Sequence, residues 1–412
     1  SARITAATTR GMLLLAPVAL ALNAGPIGTR APRVAPALAA LRMQVETNEE
    51  MKVTNDAEAS MDFAETAAPE TQERFKAISL NALDEWAEKF PRLKPELRDI
   101  KMSSLIFPFK ASPYLVEELI DWEMEGDIKD DPFYRLVFPT MTMLAEHHRV
   151  KLEAASEEGD PFKLKDVVDE IREDLNPHPA GQKELNAPKK DELTGVQHKY
   201  SETVLFFASA AQTCHAYCTY CFRWAQFIGD SDLRFAQKDA GSLFDYLAEH
   251  EEVSDILFTG GDPMFMKTRL LKQYLEPFKD PTFLPHVKNL RIGTRALTFW
   301  PQRFTTDDDA DELMVLLREV KDQGNRHMAI MSHLGHVREL QTDKVRAAIK
   351  RLREEAFVNI RSQSPVMRGI NDDAEVWAEK WREEVRLGPA TLPLCSARLA
   401  SPRLASPRLA SP

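Results

Sequence analysis

Three of the four cysteines fall within eight residues, at Cys214, Cys218 and Cys221. A C-x3-C-x2-C loop can hold three irons of a [4Fe–4S] cubane on three thiolates and leave the fourth iron open to a ligand. Two plainer readings stand beside it: three buried thiols, or a zinc site that borrows His215. A disulfide framework would spread an even number of cysteines along a short chain. The clustering therefore points to a metal or cluster site in a reducing compartment. Cys395 lies beside low-complexity sequence and enters no site.

The elements that must position this loop show as a rhythm of short β-branched, apolar runs. They lie at 203–208, 255–259, 289–293, 328–331 and 358–361, with amphipathic helices expected at 238–249, 267–278, 309–322, 343–355 and 373–385. Strand-then-helix alternation means parallel strands with crossover helices, an α/β fold of the partial (β/α) barrel kind. A sixth strand would fall where the sequence turns into a repeat. Distinctive polar residues follow each run. The cysteines come after the first, Gly260-Gly261-Asp262 after the second and Gly293-Thr294-Arg295 after the third. Ser332-His333-Leu334-Gly335-His336 follows the fourth and Gln363-Ser364-Pro365 the fifth. In such folds the loops at the carboxyl ends of the strands build the site.

Residues 70–198 read as a helical region and connector. Leu115, Leu119 and Trp122 make one apolar stripe; Phe133, Leu136, Val137, Met141 and Leu144 make another, and both are expected to be core. Residues 177–198 are polar and rich in Pro and Gly, and read as a loop.

The chain of 412 residues is 43% hydrophobic and 28% charged, as soluble globular domains are. Its net charge of -11 is unevenly spread: no acid precedes Glu46, and residues 397–412 repeat ASPRL-like units with three arginines. Setting aside the eight arginines of the two ends leaves about -19 for the body. An acidic body excludes a phosphate-backbone binder. Residues 1–45 join an apolar run, Met12 to Leu22, to an acid-free stretch rich in Ala, Arg and Pro. Together these read as a signal-then-transit targeting sequence for a plastid, with a mitochondrion as the alternative. The apolar run is too short to span a bilayer. Residues 46–69 read as a linker and 389–412 as a low-complexity tail from which no core can form.

The cysteine spacing resembles that of the radical S-adenosylmethionine superfamily. Further motifs narrow the resemblance to lysine 2,3-aminomutase and its relatives. CFRWAQF, LFTGGDP, RIGTRALTFWPQRFT, SHLGHVREL and QSPVMRGIND occur in the family's order, within a core at 199–388. The resemblance implies a radical S-adenosylmethionine barrel fold, reductive generation of a 5′-deoxyadenosyl radical, hydrogen abstraction and 1,2-amino migration on a basic amino acid. It implies a [4Fe–4S] cluster on Cys214, Cys218 and Cys221, with S-adenosylmethionine meeting Gly260, Gly261 and Asp262. Arg223 is implied to grip the substrate carboxylate and Asp372 its distal amino group, the alternative for Asp372 being a helix N-cap. Arg295 and Gln302 are implied as cofactor-pocket residues, and Lys199 as a basic residue near a pyridoxal 5′-phosphate group. His333 and His336 match an H-x-x-H and read equally well as core histidines. An electron donor such as ferredoxin or flavodoxin is implied, and a homo-oligomer is allowed. Two departures mark a divergent branch. The cysteine loop carries Phe-Arg-Trp rather than a run of arginines, and nothing matches the family's pyridoxal lysine beyond Gly-Ile-Asn-Asp. Truncation near Gly388 is the expected reason. A radical enzyme that needs no pyridoxal phosphate, and a non-catalytic structural metal protein, are the competing readings.

Overall fold

The computed structural model describes residues 75–175, 193–228 and 235–388. The expected targeting sequence (1–45), linker (46–69) and repeat tail (389–412) lie outside the described residues.

Six strands form one sheet in chain order: β1 (Val196–Tyr200), β2 (Thr203–Phe207), β3 (Asp255–Thr259), β4 (Asn289–Thr294), β5 (His327–His333) and β6 (Asn359–Gln363). The five expected runs are β2 to β6, all parallel. The extra strand is β1, which pairs antiparallel with β2 across a tight turn. It falls on sequence read as the end of a connector and the start of the core, because Gln197, His198 and Lys199 mask an alternation only an edge strand tolerates.

The crossover helices Ala240–Glu249, Thr268–Leu275, Ala310–Asp322 and Asp343–Glu354 separate the parallel strands, and Ala374–Leu387 follows β6. Asp239 starts the first by accepting from the amides of Gly241 and Ser242. One face of the sheet carries Val204, Phe206, Ile256, Phe258, Leu290, Ile292, Ile330 and Ile360. These share one continuous core with Leu243, Leu247, Leu271, Leu317 and Leu352 of the helices. The opposite face is mixed, with Asp255 and Arg291 paired across β3 and β4.

The helical segment departs from its sequence pattern. Leu115–Leu119 is a single π-type turn, and Trp122 lies beyond it, its indole N–H donating to Val116 O at 2.7 Å. Phe133, Leu136 and Val137 do share the helix Pro132–Val137, but Met141 sits in a separate turn and Leu144 beyond that. All these residues except Trp122 are buried, so the core expectation holds where the helix expectation does not. Pro132 allows the helix to start, but its predecessor cannot continue one backward.

This segment is tied to the carboxyl ends of the strands. Buried Asp131 caps Pro132–Val137 through the amides of Phe133 and Tyr134, and its second oxygen accepts from Arg338 Nη1 at 2.7 Å. Ser112 Oγ donates to Phe299 O at 2.5 Å, and the hydroxyls of Tyr114 and Thr342 meet at 2.6 Å. Among the described residues no helix is long and apolar enough to cross a membrane.

Candidate active site

β2 runs into a short turn at Ser209–Ala211 and then into the cysteine loop. That loop is held from below by the helical segment: Tyr217 N donates to Lys110 O at 2.9 Å, and Thr219 N to Leu136 O at 2.8 Å. Thr219 Oγ1 donates to Arg135 O at 2.7 Å. Backbone anchors of this kind fix a loop whose side chains must face a ligand.

The loop after β3 leans on the cysteine loop. Gly261 N and Asp262 N donate to Ala211 O at 2.9 and 3.0 Å, and Asp262 N also reaches Thr213 O at 2.8 Å. A Cβ on Gly261 would lie 2.5 Å from Thr213 N and O, and one on Gly260 (φ +142°) would lie 2.5 Å from Gln212 Nε2. The glycine pair is therefore demanded by loop-on-loop contact as well as by any ligand.

Asp262 is buried, and both its carboxylate oxygens already work inside the protein. Oδ1 accepts from Thr294 Oγ1 at 2.6 Å and Met264 N at 2.9 Å, and Oδ2 from Arg295 N at 2.9 Å. Burial pushes its carboxyl up to about 6, against the pull of those hydrogen bonds. Asp262 thus joins the ends of β3 and β4. Buried Arg303 staples the next turn, donating to Met264 O, Met266 O, Thr268 Oγ1 and Asp309 Oδ1 at 3.0–3.1 Å.

Arg223 is brought into this region. Its Nη1 donates to Gly260 O at 2.7 Å, its Nη2 to Gln226 Oε1, and its guanidinium stacks 4.4 Å from the Phe207 ring. Burial pulls it down to about 10, opposed by the nearby thiols. It ties the cysteine loop to the glycine loop.

Arg295 begins a second web. Its Nη1 donates to Tyr220 Oη at 2.7 Å and lies 3.2 Å from His333 Nδ1, and its Nη2 pairs with Glu339. Tyr220 Oη is 2.8 Å from His333 Nδ1, and the guanidinium stacks 4.2 Å over Phe299. Glu339 is fully buried; its other oxygen accepts from the amides of Gly335 and His336. The web joins the cysteine loop, the end of β4 and the loop after β5. Burial, then the Arg295 cation, holds the His333 imidazole down to about 3, so it is neutral; burial holds His336 down to about 4. His336 Nδ1 accepts from Arg338 N at 3.1 Å as a cap, and its ring meets Phe133 edge-on. Neither histidine needs a metal.

The three cysteines are partly buried, and Sγ of each is free of any disulfide. Burial pushes all three thiols up, Cys221 to about 12. Bound iron would reverse that, because a coordinating thiol is deprotonated outright. Lys110 supplies a cation beside Cys214. Its Nζ donates to Thr213 Oγ1 at 2.5 Å and lies over the Tyr217 and Phe265 rings, and burial pulls its ammonium down.

Among the described residues, the His, Cys, Asp and Glu ligand atoms that gather in threes within 4.8 Å are those of His198, His250 and Glu252; the cysteines form no such group. Three thiolates on one zinc ion stand about 3.8 Å apart at a Zn–S distance of ~2.3 Å. His215, the borrowed ligand of a zinc reading, is 3% exposed and boxed by Phe75 and Phe265, with ring centroids at 4.8 and 5.2 Å. The donor set suits a cluster with irons on separate corners better than one ion.

The remaining expected residues do not meet here in the expected way. Gln302 is buried in the turn Pro301–Phe304. Lys199 lies in β1, and its side chain is outside the described residues. Asp372 is exposed and accepts from Gly369 N at 2.8 Å. The N-cap of the last helix is Asp373, so Asp372 is not that cap. Its neighbour Asn371 is the buried one, donating to Gly335 O and Pro365 O and so joining the loops after β5 and β6. Arg295 is engaged with Tyr220, His333 and Glu339.

Sequence reasoning missed Lys110, which no spacing links to Cys214. The SHLGHVREL stretch holds Glu339, whose role the pattern does not show, and Tyr220 carried no expectation.

Five parallel strands, a helical segment in front and a C-x3-C-x2-C loop at the carboxyl end of the first parallel strand define the partial barrel of the radical S-adenosylmethionine class. Comparison with known proteins narrows it. A protein of Aquifex aeolicus provisionally named L-lysine 2,3-aminomutase is 28% identical over 68% of this chain and 62% of its own length. L-lysine 2,3-aminomutase of Haemophilus influenzae is 30% identical over 53% and 59%. Glutamate 2,3-aminomutase of Clostridioides difficile is 29% identical over 52% and 46%. The chain is similar to these 2,3-aminomutases at 28–30% identity, and it spans less than two thirds of the length of all three. No family model matches it.

Proposed function

We propose that this chain is a radical S-adenosylmethionine aminomutase-type enzyme, acting on a small amino acid and fed by a one-electron donor of the ferredoxin or flavodoxin kind. The observation that carries the reading is the packing of the glycine loop onto the cysteine loop, with Gly261 N and Asp262 N bonded to Ala211 O.

Cys214, Cys218 and Cys221 would hold the [4Fe–4S] cluster, and the backbone at Gly260 and Gly261 would face S-adenosylmethionine. When bound, the pair supplies reductive cleavage and a hydrogen-abstracting radical. The chain's own residues orient and enclose. Arg223 fixes the Gly260 carbonyl, Asp262 and Arg303 hold the turn that follows, and Lys110 places a cation against Cys214. Tyr220, Arg295, neutral His333 and Glu339 form a rigid wall. The helical segment covers the cysteine loop from below, which keeps water from a reactive intermediate.

Amino migration on a basic amino acid is the finer reading, supported by the lysine 2,3-aminomutase relatives.

The test is anaerobic reconstitution with iron and sulfide, then reduction in the presence of S-adenosylmethionine. About four irons per chain and release of 5′-deoxyadenosine are expected. A chain that takes zinc in place of iron, or that never cleaves S-adenosylmethionine, overturns the reading. Retention of pyridoxal phosphate and conversion of lysine to β-lysine decide the finer one.

A further inference from the structure

At the other end of the sheet, β1 and the link between the first crossover helix and β3 bring three ligand-bearing side chains together. His198 lies on β1, His250 closes the helix Ala240–Glu249, and Glu252 follows two residues later. One ligand atom from each lies within 4.8 Å of the other two. The two imidazole rings stand 5.3 Å apart and nearly perpendicular.

The surrounding bonds are those of a metal-ready histidine. His198 Nε2 lies 3.0 Å from Ser201 O, a carbonyl that can only accept, so that nitrogen carries the proton. Nδ1 then holds the lone pair, which accepts from Tyr246 Oη 2.7 Å away, so a cation would take the place of that hydroxyl hydrogen. A metal-bound histidine characteristically gives its other N–H to a backbone carbonyl, which sets tautomer and ring angle. His250 Nδ1 lies 2.9 Å from Glu252 Oε1, so the carboxylate and the second ring already face each other. Beside the trio opens a cavity of about 510 Å³ whose lining includes Asp245, Tyr246, Glu249 and His250. Asp245 and Glu249 add negative charge on the approach to the ligands.

We propose that His198, His250 and Glu252 form a site for a borderline divalent cation such as Zn²⁺, remote from the cysteine loop, that clamps β1 to the helix–strand link beside β3. Two imidazoles and one carboxylate match Zn²⁺ in ligand type, with a fourth position left for water or the Tyr246 hydroxyl. The clamp has a mechanical purpose. β1 is an edge strand pairing only with β2 among the described residues, and two loops meet at its end. The site uses no residue of the proposed radical chemistry, so it stands or falls separately.

The experiment uses the full chain with its cysteine loop reconstituted with iron and sulfide, so that the thiolates are occupied. Dialysed protein is titrated with Zn²⁺ by calorimetry at pH 7.5 and 5.5, and the loaded protein is measured at the zinc X-ray absorption edge. One equivalent binds at pH 7.5, and Kd weakens at least tenfold at pH 5.5, where protons compete for the imidazoles. The absorption fit shows nitrogen and oxygen at about 2.0–2.1 Å and no sulfur at ~2.3 Å. His198→Ala and Glu252→Gln each weaken Kd tenfold or more, and zinc raises the melting temperature of the parent chain but not of either variant. Glu252→Gln keeps the side-chain shape, and its circular dichroism without zinc matches the parent, so its loss of binding reports the site. No zinc uptake by the parent chain, a sulfur shell, or parent-like affinity in Glu252→Gln overturns the proposal.

Discussion

Replacing Glu339 by alanine separates a wall that orders the site from one that merely fills space. Its side chain is 0% exposed and that of its partner Arg295 is 10% exposed, so solvent screens the pair little. Removing one member of a buried pair leaves an uncompensated charge, at a cost of about 3–5 kcal/mol. The amides of Gly335 and His336 also lose their acceptor, so the upper half of that range is expected. Arg295→Met should cost a similar amount, because it strands Glu339 and removes the donor from Tyr220. If the two residues act on each other, the double variant recovers part of the loss, and the coupling should reach about 1.5–3 kcal/mol. The assay is the guanidinium midpoint of the four chains at one denaturant slope, with iron retained after reconstitution measured alongside. Because Arg295 Nη1 holds Tyr220 inside the cysteine loop, Arg295→Met should also lower iron retention several-fold. Losses that add within ~0.5 kcal/mol, or full iron retention in Arg295→Met, refute the claim that this pair supports the cluster loop.

Gly261→Ala should cost about 1–3 kcal/mol by overpacking against Thr213 and should lower iron loading, as iron analysis of the reconstituted variant will show. The Asp262 carboxyl, raised to about 6 from an ordinary 3.8, favours its neutral form in the folded state. Its contribution is therefore most favourable below pH 4 and is lost as pH rises to 6, on the order of 3 kcal/mol. Asp262→Asn should remove that fall, read as the difference between parent and variant midpoints from pH 4 to 6.5. Tyr220→Phe removes the hydroxyl shared by Arg295 and His333 and should cost about 1–3 kcal/mol; a parent-like melting temperature would show the hydroxyl to be idle. Lys110→Met removes the cation beside Cys214 and should shift the reduction potential of the reconstituted cluster to more negative values, measured by redox titration.

The parallel strands were legible because buried strands are short apolar runs punctuated by glycine and polar residues, and β2 to β6 all have that form. β1 was not, because its sequence, Val-Gln-His-Lys-Tyr, carries polar residues where a buried strand would carry apolar ones. The cysteine loop and the glycine loop could be found from local spacing alone. The anchors of the cysteine loop could not: Lys110, Arg135 and Leu136 reach it across long stretches of chain, and nothing in a one-dimensional pattern marks such a contact. Asp372 and Asn371 illustrate the same limit. Both sit in one quoted motif, and only the packing between the β5 and β6 loops distinguishes the buried bridge from its exposed neighbour. The bonds of Asp262 to Thr294 and the Arg295 amide were likewise illegible, since both partners lie more than thirty residues further along the chain.

The seam between Ala211–Thr213 and Gly260–Asp262 makes the two loops a single mechanical body. Whatever stiffens one edge of that seam lowers the entropy still to be lost at the other, so occupants of the two loops should reinforce each other's binding without touching. Such coupling is reciprocal: a chain stripped of iron would hold its sulfonium partner loosely, and a chain lacking that partner would surrender its iron more readily.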